Sequence, residues 1–317
     1  MAMTLQSMAA ACLSRAFPRL ASQGVFPRNR AIEEIKREMR LEKSFTIAFL
    51  CSIILGHSAN WHADSDLGLP LYRSAKRLAE TACVTTSQES TISDQRRSIF
   101  FDQAMMYWRT ILSFVSDDAY IHERTLRSSE SLLQVQSAPH PWALIATEMM
   151  DAIPEVGATI HAHRQKHGHL CVWKRLHIED IQKAMSTCER LEHTLIHWAL
   201  LAEHEILDPG TSSTPISHFL AVSQAYRLTG LIQIYRTFPD IHLSRLKSGE
   251  SVPAFEEVTL PTADDADNIP DWMPNQWLRE LSMYVVDVLM AVPFESYTRS
   301  IQAFLYVALS SEMKHAN

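Results

Sequence analysis

The stretch His177–Ile206, HIEDIQKAMSTCERLEHTLIHWALLAEHEI, decides the fold class. Leu191, Leu195, Trp198 and Leu201 recur at i, i+4, i+7 and i+10, which lays them along one stripe of a helix. Asp208-Pro209-Gly210 stops that helix. Thr214-Pro215 restarts the chain, with Thr214 expected as N-cap and Pro215 at the first helical position, where a missing N–H costs nothing. The second helix runs to Phe238 and ends at Pro239-Asp240.

The same period extends outward. Ile32, Ile35 and Met39 keep a spacing of three to four through a charged stretch that runs into the apolar Phe45–Leu55. That apolar run is far shorter than the roughly 20 residues of a membrane-spanning helix, so it reads as a core helix ending near Gly56. Residues 57–69 read as a loop. Helices are expected at about 70–84, 92–116 (opened by Thr91 or Ser93), 120–135 and 142–166, the last after Pro139-His140 and Pro141-Trp142. Pro154 and Gly157 are expected to kink or split it. Two more follow at Trp277–Val292, stopped by Pro293, and at Tyr297–Met313. No stretch alternates as a strand does, and no fixed-period repeat is evident. The expected fold is all-α: an irregular multi-helix array of antiparallel helices with one long acidic loop.

Composition agrees. There are 8 glycines in 317 residues, well under the usual share of about 7%. Doubly wound sheets and phosphate-binding loops need glycine for tight turns and close backbone approach. Six of the eight sit at expected breaks. Gly157 and Gly230 fall inside helical patterns and mark a kink or a close approach between helices.

The net charge of −7 is unevenly spread. Residues 1–32 carry Arg15, Arg19, Arg28 and Arg30 and no acid. Gly24, Pro27 and Asn29 break helical pattern there, so residues 1–30 are expected as a flexible basic arm. An arginine-rich, acid-free start also resembles a mitochondrial presequence, which is the alternative. Residues 239–275 hold eight acids, two bases and five prolines, and read as a solvated acidic loop able to meet a basic partner. The five cysteines (Cys12, Cys51, Cys83, Cys171, Cys188) form no Cys-x-x-Cys pair. They read as reduced, mostly buried thiols of an intracellular protein rather than a disulfide or zinc framework.

Fifteen histidines invite a metal reading. His161, His163, His167, His169, Cys171 and His177 crowd one region, and His193 and His197 share a helix face at i, i+4. A metal-dependent all-α enzyme using either set is the alternative function. Against it, His-Glu-x-x-His is absent, and Arg164, Lys166 and Gly168 make 161–169 look like a solvated helix end, where histidine suits the helix dipole. Asp117-Asp118 and Asp264-Asp265, with Asp267 and Asn268, lack the Asp-Asp-x-x-Asp spacing of magnesium-dependent isoprenoid enzymes. Helical di-iron proteins repeat Glu-x-x-His; one instance occurs here, Glu312 to His315, at the C-terminus. Neither Gly-x-Ser-x-Gly nor Gly-x-Gly-x-x-Gly is present. No catalytic residue, metal ligand or cofactor is assigned, and the chain is not expected to be an enzyme.

One stretch is more specific. Ala221-Val-Ser-Gln-Ala-Tyr-Arg-Leu-Thr-Gly-Leu-Ile-Gln-Ile-Tyr-Arg-Thr-Phe-Pro-Asp240 resembles a recurring helix of the fungal-specific transcription factor domain, with its Ala-x-x-Tyr-Arg and closing Tyr-Arg. Leu191-Glu192 and His197-Trp198 look like the family's Leu-Glu-x-x-Leu-x-x-Trp element. Leu289-Met-Ala-Val-Pro293, Ser296, Arg299-Ser-Ile-Gln302 and Ala308 are similar to its closing segment, and Pro141–Arg164 to the helix before. The resemblance spans about 90–313, within a helical regulatory domain over 31–317. Tyr226, Tyr235, Trp198 and Pro293 read as core or turn residues.

The resemblance implies a nuclear regulator of transcription acting on biosynthetic or catabolic gene sets. It would work through protein partners of the transcription machinery or another regulator, and through a small-molecule effector bound between helices. The family's DNA-binding finger needs six closely spaced cysteines, which these residues lack. Direct sequence-specific DNA binding is therefore not expected of them. They resemble the regulatory region alone, either of a regulator without a finger or of one whose finger lies upstream of Met1.

Overall fold

A computed structural model describes residues 1–41, 45–85, 92–122, 147–167, 175–198, 203, 214–249, 252, 270 and 272–313. Among them the regular structure is helical, with no strand: α1 (Ala2–Leu13), α2 (Leu20–Leu41), α3 (Phe45–His57), the single turn α4 (Ala59–His62), α5 (Leu69–Thr85), α6 (Ile92–Ser113), the short α7 (Ala119–His122), α8 (Thr147–His167), α9 (Arg175–His197), α10 (Ile216–Thr237), α11 (Pro239–Ser248), α12 (Met273–Met290) and α13 (Arg299–Leu309). The all-α class follows. No helix among the described residues is long and apolar enough to cross a membrane.

The chain divides into two units, Met1–Trp108 with Glu123–Arg127, and Arg109–His122 with Ser128–Asn317. In the first unit, α1 and α2 pack along each other. The loose arm expected over 1–30 is instead helical on both sides of a short connection, and α2 runs through Gly24, Pro27 and Asn29. The reason lies in what the pair buries. Thr4, Ser7, Ala10 and Ala11 face inward from α1, and Gly24, Pro27, Ala31 and Ile35 from α2. A methyl group on Gly24 would lie 3.2 Å from Ala10 Cβ and 3.4 Å from the Ser7 carbonyl oxygen. Backbone approach that close lets small residues make the dispersion contacts that larger ones make elsewhere. Arg28 donates to Asp66 at 2.6 Å, tying α2 to the loop before α5.

Helix α3 is apolar all round, and Ala48, Phe49, Cys51, Ser52, Ile53, Leu55 and Gly56 are buried. Phe49 meets Phe101 of α6 at 4.0 Å between ring centres. Helix α3 ends at His57, next to Gly56 as expected, and Gly56 lies beneath the Trp108 indole, where a Cβ would sit 2.0 Å from the ring. Gly68, at φ +69, leaves no room for a side chain either: a Cβ there would lie 2.6 Å from the Gly56 carbonyl oxygen. Trp108 meets Tyr72 edge-on at 5.3 Å.

The second unit is built on α10, against which α8, α9, α11, α12 and α13 all pack. Every residue from Val222 to Tyr235 is buried. The N-cap falls on Pro215, one residue later than expected, because the Thr214 hydroxyl is used elsewhere: it accepts the Tyr297 N–H at 3.0 Å. Helix α8 is one helix through Pro154 and Gly157 rather than two. Gly157 marks close approach, since a Cβ there would lie 2.4 Å from Ser113 Oγ and 2.6 Å from the Phe114 ring. Gly230 does the same against Ile153 and Leu195.

The acidic loop expected over 239–275 is helical at its start. Pro239 stands at the first position of α11, Asp240 in its first turn, Arg245 and Lys247 in its last, and Gly249 caps it at φ +66. These are the proline start, dipole-matched charges and glycine stop of an ordinary helix. Met273 to Asn275 belong to α12, and most of the stretch between lies outside the described residues. The expected helix 120–135 is described only over α7, Thr91 lies outside, and Ser93 falls within α6.

Candidate functional site

Two Tyr-Arg pairs nine residues apart define the centre of the second unit. Nine residues turn a helix by two and a half turns, so the second pair faces opposite the first. Tyr226 points one way, and its hydroxyl donates to the Ile301 carbonyl of α13 at 2.7 Å. Tyr235 points the other way and donates to Glu192 Oε1 of α9 at 2.7 Å. The arginines cross over. Arg227 Nη1 donates to the Leu195 carbonyl of α9 at 3.1 Å, and its Nε to Gln224 Oε1 at 3.0 Å. Arg236 Nη1 donates to Glu312 Oε1 at 3.1 Å and to Ser311 Oγ, just beyond α13. Gln233 adds a bond to the Ala308 carbonyl at 2.9 Å. The central helix thereby clamps α9 on one flank and α13 on the other.

The α9 flank is the more buried. Glu192 Oε1 also accepts from Arg245 Nε of α11 at 2.6 Å. One carboxylate oxygen therefore joins three helices through a charge-assisted pair and a phenol. Burial, then the Glu192 charge, raises the Tyr235 hydroxyl well above its ordinary range, which keeps it a donor. His242 stacks on Tyr235 at 4.8 Å and leans on Trp277 at 4.7 Å. Its Nε2 is buried without a hydrogen bond, and burial lowers its pKa to about 4, so it sits there neutral. Burial also lowers the Arg227 guanidinium to about 10. The Ser223 hydroxyl and Gln224 Nε2 are buried with no hydrogen-bond partner.

Tyr226 and Tyr235 are core residues as expected, 2% and 1% exposed. Trp198 lies beyond the end of α9 and is half-buried, Pro293 is exposed in the turn after α12, and Leu201 lies outside the described residues. Sequence reasoning missed Arg245 and His242 because it placed them in a loop. Their signal was present in Pro239-Asp240 and Gly249, which bracket one short helix.

The histidines do not converge. His163 and His167 lie 5.2 Å apart between ring centres, His167 and His177 5.7 Å. His161 is half-buried nearby, and His169 and Cys171 lie outside the described residues. His193 and His197 stack face to face at 4.0 Å, with His197 Nδ1 on the His193 carbonyl. Stacked rings set their nitrogens side by side rather than toward one ion. Among the described residues no group of three or more His, Cys, Asp or Glu is placed to hold a metal. Asp118 accepts the Tyr120 N–H at 3.0 Å and so caps α7, while Asp117 is exposed. Asp264, Asp265, Asp267, Asn268 and His315 lie outside the described residues; Glu312 is the ion-pair partner of Arg236. Of the three cysteines described as free thiols, Cys51 and Cys188 are buried and Cys12 is exposed. Burial pushes Cys188 up to about 12, far from a reactive thiolate.

The geometry defines a class: an α-helical module in which the polar side chains of a central helix hold its neighbours in place. A family model, the fungal specific transcription factor domain, matches residues 2–258, and the chain belongs to that family. The match starts at the helical N-terminus and ends before α12, so the family covers the first unit more fully, and the last helices less, than the motifs suggested. Neither a curated protein nor a solved structure matches the chain.

Proposed function

We propose that the chain regulates transcription in the nucleus through contacts with other proteins of the transcription apparatus, acting on a biosynthetic gene set. The observation that carries this reading is the family match over residues 2–258. The arrangement of α10 supports it, because Tyr226, Arg227, Tyr235 and Arg236 hold α9 and α13 rather than converging on a substrate. A small-molecule effector belongs to the same reading. Ser223 and Gln224 present buried donors without partners close to Arg227, and an acceptor-bearing ligand such as a carboxylate would satisfy them.

The test is the whole chain fused to a heterologous DNA-binding domain, with a reporter read in cell nuclei. A several-fold change in output over the DNA-binding domain alone is expected. A Gln224→Leu variant is expected to lose any dependence on growth conditions. Output indistinguishable from the DNA-binding domain alone, under inducing and repressing conditions alike, would sink the proposal.

A further inference from the structure

We propose that Ser248, the last residue of α11, is a phosphorylation site whose modification loosens the Glu192 clamp. Ser248 is exposed, as are Lys247 and Gly249 beside it. A Cβ on Gly249 would meet nothing within 4 Å, so the helix end has open space around it among the described residues. Arg245 and Lys247 stand three positions and one position before the serine. Cations so placed match a serine kinase with an acidic substrate cleft, by charge complementarity. The Ser248 hydroxyl donates to the Arg245 carbonyl at 2.8 Å. It therefore lies one turn from the guanidinium that donates to Glu192 at 2.6 Å.

The step transfers the γ-phosphoryl group of a nucleoside triphosphate. The Ser248 oxygen bonds to that phosphorus, and the bond from the phosphorus to the bridging oxygen breaks. The nucleoside diphosphate leaves, and the hydroxyl proton passes to a base of the kinase. Three consequences act in one direction. The esterified oxygen has no proton left to give the Arg245 carbonyl. About two negative charges arrive at the C-terminal end of a helix, where the macrodipole disfavours them. The same charges compete with the Glu192 carboxylate for Arg245, one turn away on the same face. The Arg245 and Glu192 side chains are 11% and 10% exposed. A kinase therefore reaches Arg245 only when the last turn of α11 opens, and the phosphate then holds that turn open. Arg19 and Ser22 share the spacing, and Ser22 is exposed. A phosphate there joins the first turn of α2, where the dipole favours it, so Ser22 is an internal control.

The whole chain, incubated with ATP and the catalytic subunit of cyclic-AMP-dependent protein kinase, tests this. Mass spectrometry reads the sites and initial rates, and urea unfolding reads stability. Phosphate is expected on Ser248, with a lowered urea midpoint for the modified chain. Ser248→Ala should lose that phosphate and that fall, whatever reaches Ser22. Glu192→Gln keeps an acceptor for Tyr235 but releases Arg245. It should be modified at Ser248 faster than the wild type by about tenfold or more, and its midpoint should then fall less than half as far. Should Glu192→Gln fail to fold, the wild type and Ser248→Ala decide the matter alone. A wild-type chain that takes no phosphate at Ser248 overturns the proposal. So does a midpoint that modification leaves unchanged, or a fall that Ser248→Ala retains. Equal rates, or equal falls, in the wild type and Glu192→Gln overturn it as well.

Discussion

The α1–α2 pair and the central helix α10 are both packed closely against neighbours, yet they are built in opposite ways. Around α10 the buried residues are large and polar, and Tyr226, Arg227, Gln233 and Tyr235 each send a hydrogen bond to a named atom on another helix. Between α1 and the first turns of α2 the buried residues are Thr4, Ser7, Ala10, Ala11, Gly24 and Pro27, with Ala31 and Ile35 further along, while Leu5, Leu13, Phe17, Val25 and Phe26 stand in solvent, Phe26 at 72% exposure. One helix holds its place by directional bonds that only specific partners can make. The other pair is held by shape, through backbones brought close enough for methyl groups to touch. Directional bonds fail when a single acceptor is removed, whereas a close-packed pair fails when something is added.

The largest effect should come from Glu192→Ala. It removes the acceptor shared by Tyr235 and Arg245 at a site where the Glu192 and Arg245 side chains are 10% and 11% exposed. Breaking a buried charge pair in this way costs about 3–5 kcal/mol. Urea unfolding should show the loss, and Glu192→Gln, which keeps an acceptor for the phenol, should recover part of it. A cost near that of an ordinary surface change would mean that the clamp is not what orders α9 and α11 on α10.

Acid should attack the same network next. His242 has a pKa of about 4 in the fold against an ordinary 6.5, because burial disfavours the imidazolium. The unfolded chain therefore binds the proton more readily. The stability this group contributes is complete above pH 6.5 and is lost as pH falls from 6.5 toward 4. At pH 5 the loss should be about 2 kcal/mol, following the 1.36 kcal/mol of one pKa unit. His242→Phe keeps a ring against Tyr235 and Trp277 without a proton site. Its urea midpoint should fall less than that of the wild type between pH 7 and pH 5. Equal falls in the two proteins would remove His242 from the account. His57 in the first unit, also held at about 4 by burial, supplies the same kind of slope and should remain in the variant.

This contrast also explains what could be read in advance. The 3.6-residue recurrence of Leu191 and Leu195 made α9 plain, and both are buried. The doubled Tyr-Arg pair pointed to α10, although its crossing over between α9 and α13 depends on which helices flank it. Nothing in the recurrence of large apolar residues revealed α1 or the start of α2, because the inward face there is made of small ones and the large ones face out. Pro27 and Gly24 are ordinarily helix-breaking signals, and tertiary contact overrides them. Helix α11 was hidden differently: the acids and prolines that follow it lowered the apparent order of the whole stretch, although its own start and stop signals were intact. The Glu192–Arg245 pair is separated by 53 positions and could be found only from the fold.

The smallest effects test the inverted hairpin most sharply, because they reverse the usual rule for apolar residues. Truncating a buried phenylalanine costs about 3–5 kcal/mol. Phe26→Ser removes the same ring from a position 72% exposed, and surface changes of this kind stay within about 0.5 kcal/mol. Gly24→Leu adds apolar volume to the same hairpin at a point where even a Cβ would lie 3.1 Å from the His62 ring and 3.2 Å from Ala10 Cβ. Overpacking costs about 1–3 kcal/mol, more than the roughly 1 kcal/mol of helix propensity regained on replacing glycine. Thus adding a large apolar side chain should destabilise the first unit, and deleting one two residues further on, on the opposite side of the helix, should leave it unchanged. Urea unfolding of both variants, followed by a probe in that unit such as Trp61 or Trp108 fluorescence, measures the pair. A costly Phe26→Ser beside a neutral Gly24→Leu would mean that the hairpin turns its large residues inward after all, with α1 rotated on α2 from the packing described.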